Sequence, residues 1–153
     1  MPNRFESIAN RRAIIDRRTL ADALAALGGE GGDIRVPATR LLKDALDAGR
    51  AEIARRLVEK PYAGTETALA YAFLTDQILR LVYDVATLQL YPLSNPTASE
   101  RLLLMAVGGY GRGEMALHSD VDIAFVTPWK PTSWTEQTVE AMLYMLWDLG
   151  LKV

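Results

Sequence analysis

The chain of 153 residues has no cysteine and a single histidine. Disulfides, thiolate metal sites and cysteine nucleophiles are therefore excluded. A multi-histidine zinc site cannot be assembled, and a serine–histidine triad would depend on His118 alone. Long apolar runs are also missing. The most apolar stretch, 68–91, is interrupted by Asp76, Gln77, Arg80 and Asp84, so no membrane partner is expected. Arg11-Arg12 is followed by Asp16, Arg17 and Arg18 instead of an apolar core, so no export signal is visible and a cytoplasmic location is expected. A sustained basic excess is absent too. Residues 1–60 carry +3 and residues 61–153 carry −5, and acids interrupt the pairs Arg11/Arg12, Arg17/Arg18 and Arg55/Arg56. That pattern describes solvated helix faces, and no nucleic-acid partner is expected.

What is present divides the chain into three parts. Residues 1–35 are expected to be a flexible, loosely attached segment, with a short helix near Arg12–Leu27 and a glycine-rich linker at 28–33. Residues 36–97 read as helical. One helix is expected over Thr39–Glu59, with Leu41, Leu42, Ala45, Ile53, Leu57 and Val58 as its apolar stripe and Gly49 as its weak point. A second, capped by Thr65 or Thr67, is expected from about Glu66 to Tyr91, where Pro92 ends it. In 98–153, apolar runs at Arg101–Val107 and Val121–Val126 read as strands, the second buried on both faces. A helix started by Thr132, Ser133 or Thr135 follows, lined by Val139, Met142, Leu143, Leu146, Trp147 and Leu149 and closed by Gly150; Leu151-Lys152-Val153 reads as the start of a third strand.

The chemistry concentrates at 108–122, Gly-Gly-Tyr-Gly-Arg-Gly-Glu-Met-Ala-Leu-His-Ser-Asp-Val-Asp. In an extended segment Asp120 and Asp122 point to one side and Val121 to the other. Two adjacent carboxylates repel, and a divalent cation between them resolves the repulsion. Hard oxygen donors favour Mg²⁺, with Mn²⁺ as the other candidate. The alternative is a solvated turn in which Ser119 and Asp120 are local caps. Gly108 and Gly109 follow a strand, and their missing side chains let backbone amides approach an anion. No Lys-Ser or Lys-Thr follows, which excludes a P-loop, and Tyr110 and Glu114 fall where a dinucleotide fingerprint requires glycine.

Gly108-Gly109 with Asp120-Val121-Asp122 on an apolar strand resembles the signature of the DNA polymerase β-like nucleotidyltransferases. Three blocks, 91–97, 107–114 and 142–153, resemble the N-terminal part of the bacterial PII uridylyltransferases. The resemblance covers about residues 36–153. It implies an α+β fold: N-terminal helices, then the first part of a mixed nucleotidyltransferase sheet with flanking helices, incomplete at its C-terminal end. It implies transfer of UMP from UTP to a tyrosine of the PII nitrogen-regulatory protein, with release of pyrophosphate. Asp120 and Asp122 would be the catalytic metal ligands, and Gly108 and Gly109 would hold the phosphates. Ser119 would contact a phosphate or cap the turn. Arg112 would neutralise phosphate charge or pair with Glu114.

The family also uses a third carboxylate on a later strand, which is expected beyond Val153, so the chain alone is expected to lack full activity. Two other readings compete. One is a signalling nucleotidyltransferase with a different nucleotide or target. The other is a non-catalytic nucleotide-sensing or interaction module.

Overall fold

A computed structural model of the chain describes residues 3–29 and 31–153. Its centre is a helix, α4 (Gly64–Asp84), in which every residue from Ala70 to Thr75 is buried. A helix buried all round must be covered on several sides. Helix α3 (Arg35–Glu59) covers one of them, through Ala38, Leu42, Leu46, Gly49 and Ile53. Its start lies four residues before the expected Thr39, because Pro37 is tolerated within a first helical turn and the Asp33 carboxylate accepts from Arg35 N–H at 3.0 Å. Val58, expected in the apolar stripe, is 80% exposed.

Gly49 is a point of close approach and not a weak point. A Cβ there would lie 2.6 Å from Leu74 Cδ1 and 2.9 Å from the Ile14 carbonyl oxygen. Alanine would gain about 1 kcal/mol of helix propensity, but the Ile14 carbonyl is backbone and cannot yield cheaply. Overpacking of this kind costs about 1–3 kcal/mol. Gly49→Ala is therefore expected to lower the unfolding free energy, whereas Gly64→Ala, with nothing within 4 Å of its Cβ, should raise it slightly; chemical denaturation of the two variants checks the contrast.

The loose attachment expected for the N-terminal segment is corrected by its packing. The helical span near Arg12–Leu27 is two helices, α1 (Arg11–Ile14) and α2 (Arg17–Leu27), with the Asp16 side chain capping the second. Phe5, Ile14, Ile15 and Leu24 are buried in the same core as α3 and α4. Apolar side chains, spaced too irregularly to read as a stripe, outweigh the glycines after them. Met1, Pro2 and Glu30 lie outside the described residues, Glu30 within the expected linker.

Arg56 adds a polar fastening, donating to the carbonyls of Ala9 and Asn10 at 2.6 and 2.9 Å. Glu52 orients it, accepting from Arg56 Nε at 2.8 Å and from Arg55 at 2.9 Å. Hydrogen bonds from Arg55 and Arg56 hold the Glu52 carboxyl at about 2, below its ordinary 4.5. A depressed carboxyl stabilises the fold above its unfolded pKa, and that share is lost as pH falls from 4.5 through about 2. Glu52→Gln should therefore flatten the acid limb of a stability–pH curve over that window.

Helix α4 starts at Gly64 without a side-chain cap, and Thr67 Oγ1 instead donates to the Ala63 carbonyl at 2.9 Å. Its continuation is a π-helical turn, Val85–Leu90, and not α-helix to Tyr91. After a single 3₁₀ turn at Ala98–Glu100, β1 (Leu103–Ala106) pairs antiparallel with β2 (Ile123–Val126), Leu103 opposite Val126 and Ala106 opposite Ile123. Both strands are shorter than expected. β2 is half-buried instead of buried on both faces, and Val126 is exposed. Helix α6 (Ser133–Asp148) begins at Thr132, whose hydroxyl accepts from Thr135 N–H at 3.2 Å. Met142, Leu146 and Leu149 enter the core, but Trp147 stays outside in an edge-to-face pair with Tyr144. Trp134 Nε1 donates to the Tyr91 carbonyl at 2.7 Å and ties α6 to the end of the π turn. Leu151–Val153 is not a strand, yet the Lys152 carbonyl accepts from Val121 N–H at 2.7 Å. The architecture is α+β, as expected, and no described helix is long and apolar enough to cross a membrane.

Candidate active site

The site is built where β1 turns back. Beyond Ala106 the ladder gains one more rung, Val107 N–H to the Asp122 carbonyl at 3.0 Å. At Gly108 the backbone takes φ 57°, which an L side chain rarely adopts. That turn starts α5 (Gly108–Arg112). The first helical bond runs from Gly111 N–H to the Val107 carbonyl at 2.7 Å, so the amides of Gly108 to Tyr110 lie ahead of it. Five residues are too few for a sizeable macrodipole. The donors available to an anion are the individual amides. Tyr110 anchors the turn, 3% exposed, and burial pushes its phenol well above the usual range. It is a packing residue.

Asp120, Val121 and Asp122 precede β2 instead of lying within it, yet they keep the alternation of an extended segment: exposed, buried, exposed. Val121 fixes the segment. Its side chain is 1% exposed, and its N–H donates to Lys152 while the next carbonyl accepts from Val107. The backbone is thus held on two sides, and both carboxylates are left facing outward. Asp122 lies directly against Gly108, where a Cβ would stand 2.5 Å from Asp122 Oδ2. A cleft of about 270 Å³ opens there, lined by Val107, Gly108, Val121, Asp122, Ile123 and Val153.

The other expected site residues stand apart from this contact. Gly109 is half-buried, with the Glu114 carbonyl 3.1 Å from where its Cβ would be. Ser119 Oγ accepts from Ala116 N–H at 2.7 Å, which is the turn-capping arrangement. Arg112 Nε pairs with Glu114 at 2.8 Å on an exposed edge. His118 is exposed. Among the described residues no third His, Cys, Asp or Glu groups with the two aspartates. Sequence reasoning missed the fastening of α5 by Arg4, which donates to the Gly111 carbonyl. A contact between residues so far apart leaves no local signal.

The donor set suits a hard divalent cation. Asp120 and Asp122 flank the buried Val121 and are both exposed, and of the two only Asp122 lines the cleft, directly against the side-chain-free Gly108. Residues 49–153 match the family described as "Putative nucleotidyltransferase DUF294". The chain belongs to this nucleotidyltransferase family. The turn at Gly108, α5 and the Asp-Val-Asp segment all lie within the part that matches. The chain is also 62% identical over 147 residues, 95% of its length, to a bifunctional uridylyltransferase/uridylyl-removing enzyme of Novosphingobium aromaticivorans. Proteins of the same description from Erythrobacter litoralis and Rhodospirillum rubrum are 50% and 47% identical over 95% of the chain. The chain spans 16% of the length of each of these relatives. No solved structure matches it.

Proposed function

We propose that the chain carries the metal- and triphosphate-binding part of a uridylyltransferase, which moves UMP from UTP to a tyrosine of the PII nitrogen-regulatory protein and releases pyrophosphate. The contact of Asp122 with Gly108 carries this reading, because it sets a carboxylate against the glycine at which the turn begins. Asp120 and Asp122 would hold Mg²⁺, which when bound supplies charge neutralisation for the triphosphate and lowers the pKa of an attacking hydroxyl. Gly108 and Gly109 offer N–H donors to phosphate oxygens. Val121 fixes the backbone between the two aspartates through its hydrogen bond and its buried side chain, and leaves their exposed carboxylates free to turn onto a cation. Ser119 and Arg112 are engaged by Ala116 and Glu114, and each would have to exchange that partner to reach a phosphate.

The test uses the high identity to the Novosphingobium relative. This chain is exchanged for the matching segment of that protein, and incorporation of labelled UMP into PII is followed. The chimera should transfer UMP, and its Asp122→Asn form should not. A folded chimera that binds UTP without transferring UMP to any protein would instead favour a nucleotide-sensing module.

A further inference from the structure

Away from the aspartates, four arginines from four different elements surround one cavity of about 490 Å³. Arg4 comes from the N-terminal turn, Arg11 from α1, Arg17 from α2 and Arg80 from α4. The cavity also has the buried aromatic pair Phe5 and Phe73 in its wall, ring centroids 5.4 Å apart. Among the described residues Asp76 is the only carboxylate lining it, and it is engaged by Arg80 at 2.8 Å and by Gln77 at 3.0 Å. Asp84 stands in an adjoining cavity of about 400 Å³ that shares Arg17, Asp76 and Arg80. Counting both cavities, four guanidiniums face two carboxylates, in a chain whose net charge is negative. Neither Arg11 nor Arg17 has a salt-bridge partner among the described residues.

Several other helix-surface arginines have acidic partners, although Arg18, Arg40 and Arg50 have none among the described residues. Arg55 and Arg56 are paired with Glu52, and Arg12 lies beside Asp16. Arg80 is held by Asp76, and Arg4 by the Gly111 carbonyl and the Phe5 ring, but arginines still outnumber carboxylates around this concavity, an excess that suits an oxyanion. Their planar forks suit phosphate oxygens two at a time. We infer that this cavity is a second anion site, distinct from the aspartate site, and that it takes a compact group of linked phosphates, free or carried by a nucleoside. A cavity of this size accommodates a di- or triphosphate. Three of the four arginines precede residue 49, outside the part that matches the nucleotidyltransferase family. Arg4 also donates to the Gly111 carbonyl, so the site touches α5, the helix that begins at Gly108.

Calorimetric titration of the full chain with inorganic triphosphate in EDTA tests the inference, with UTP in EDTA as a second arm. Chelation removes the metal-dependent binding expected at Asp120 and Asp122, so the two sites are read separately. One saturable site per chain is expected. It should weaken about tenfold or more in Arg11→Ala/Arg17→Ala, since charge-assisted bonds are lost, and it should persist in Asp120→Asn/Asp122→Asn. Tighter binding of UTP than of triphosphate would assign the site to a nucleoside polyphosphate, and equal or weaker binding to the free anion. The single variant Arg17→Glu, on an exposed position of α2, covers the case in which the double variant does not fold. No saturable binding by the parent chain, or binding unchanged in the arginine variants, would overturn the inference.

Discussion

Gly108→Ala should weaken metal-dependent nucleotide binding strongly while leaving most of the fold intact. Two costs arise at this position and they act on different properties. The positive φ of 57° is strained for alanine, by about 1–2 kcal/mol. The new Cβ would also stand 2.5 Å from Asp122 Oδ2. That oxygen ends a side chain on an exposed residue, so it can swing away at little cost in stability. Swinging away, however, removes a proposed metal ligand and puts a methyl group where phosphate oxygens would approach. The expected outcome is a drop in unfolding free energy close to the strain term alone, together with a loss of UTP affinity of about tenfold or more. Thermal unfolding and UTP titration on the same preparation check it. A variant that unfolds at the lower temperature yet binds UTP as tightly as the parent would detach Gly108 from the site.

Asp122→Asn should show the opposite balance. Its carboxylate is exposed and makes no hydrogen bond or ion pair among the described residues, so stability should change by no more than about 0.5 kcal/mol. Removing one of two neighbouring like charges, if anything, relieves repulsion. UMP transfer by the chimera should nevertheless fall about a hundredfold or more, the scale seen when a preorganised group facing developing charge is removed. Asp120→Asn should behave in the same direction, because alternation about the buried Val121 puts its side chain on the same side. A Ser119→Ala variant provides the contrast. Its hydroxyl oxygen caps the turn at Ala116, so its loss should cost stability more than transfer.

The parts of this site that could be read from the sequence were those written in short spacings. Gly-Gly after an apolar run, and two acids around one valine, depend on local backbone rules and survive into the structure as a positive-φ turn and an exposed–buried–exposed segment. The reading of Leu151–Val153 as strand was half right for a physical reason. The Lys152 carbonyl does bond to Val121, but one rung does not make a strand. What escaped was everything held by distant contacts. Phe5 and Ile14 are scattered apolar residues in a polar stretch, and only the surface presented by α3 and α4 makes them core. Gly49 looked like a flaw in a helix because nothing local says that Leu74 and the Ile14 carbonyl press against it. Val58 and Trp147 were placed inside by periodicity, but periodicity specifies a face and not whether a neighbour covers it.

Asp120 and Asp122 are proposed to hold a divalent cation together beside the glycine turn and thereby to bind the triphosphate of UTP. Titration of the parent chain and of Asp120→Asn/Asp122→Asn with UTP, each in excess Mg²⁺ and again in EDTA, tests it most directly. A Mg²⁺-dependent increment in UTP affinity is expected for the parent chain and none for the double variant, with both proteins unfolding at similar temperatures. An equal Mg²⁺ increment in the two proteins would contradict it.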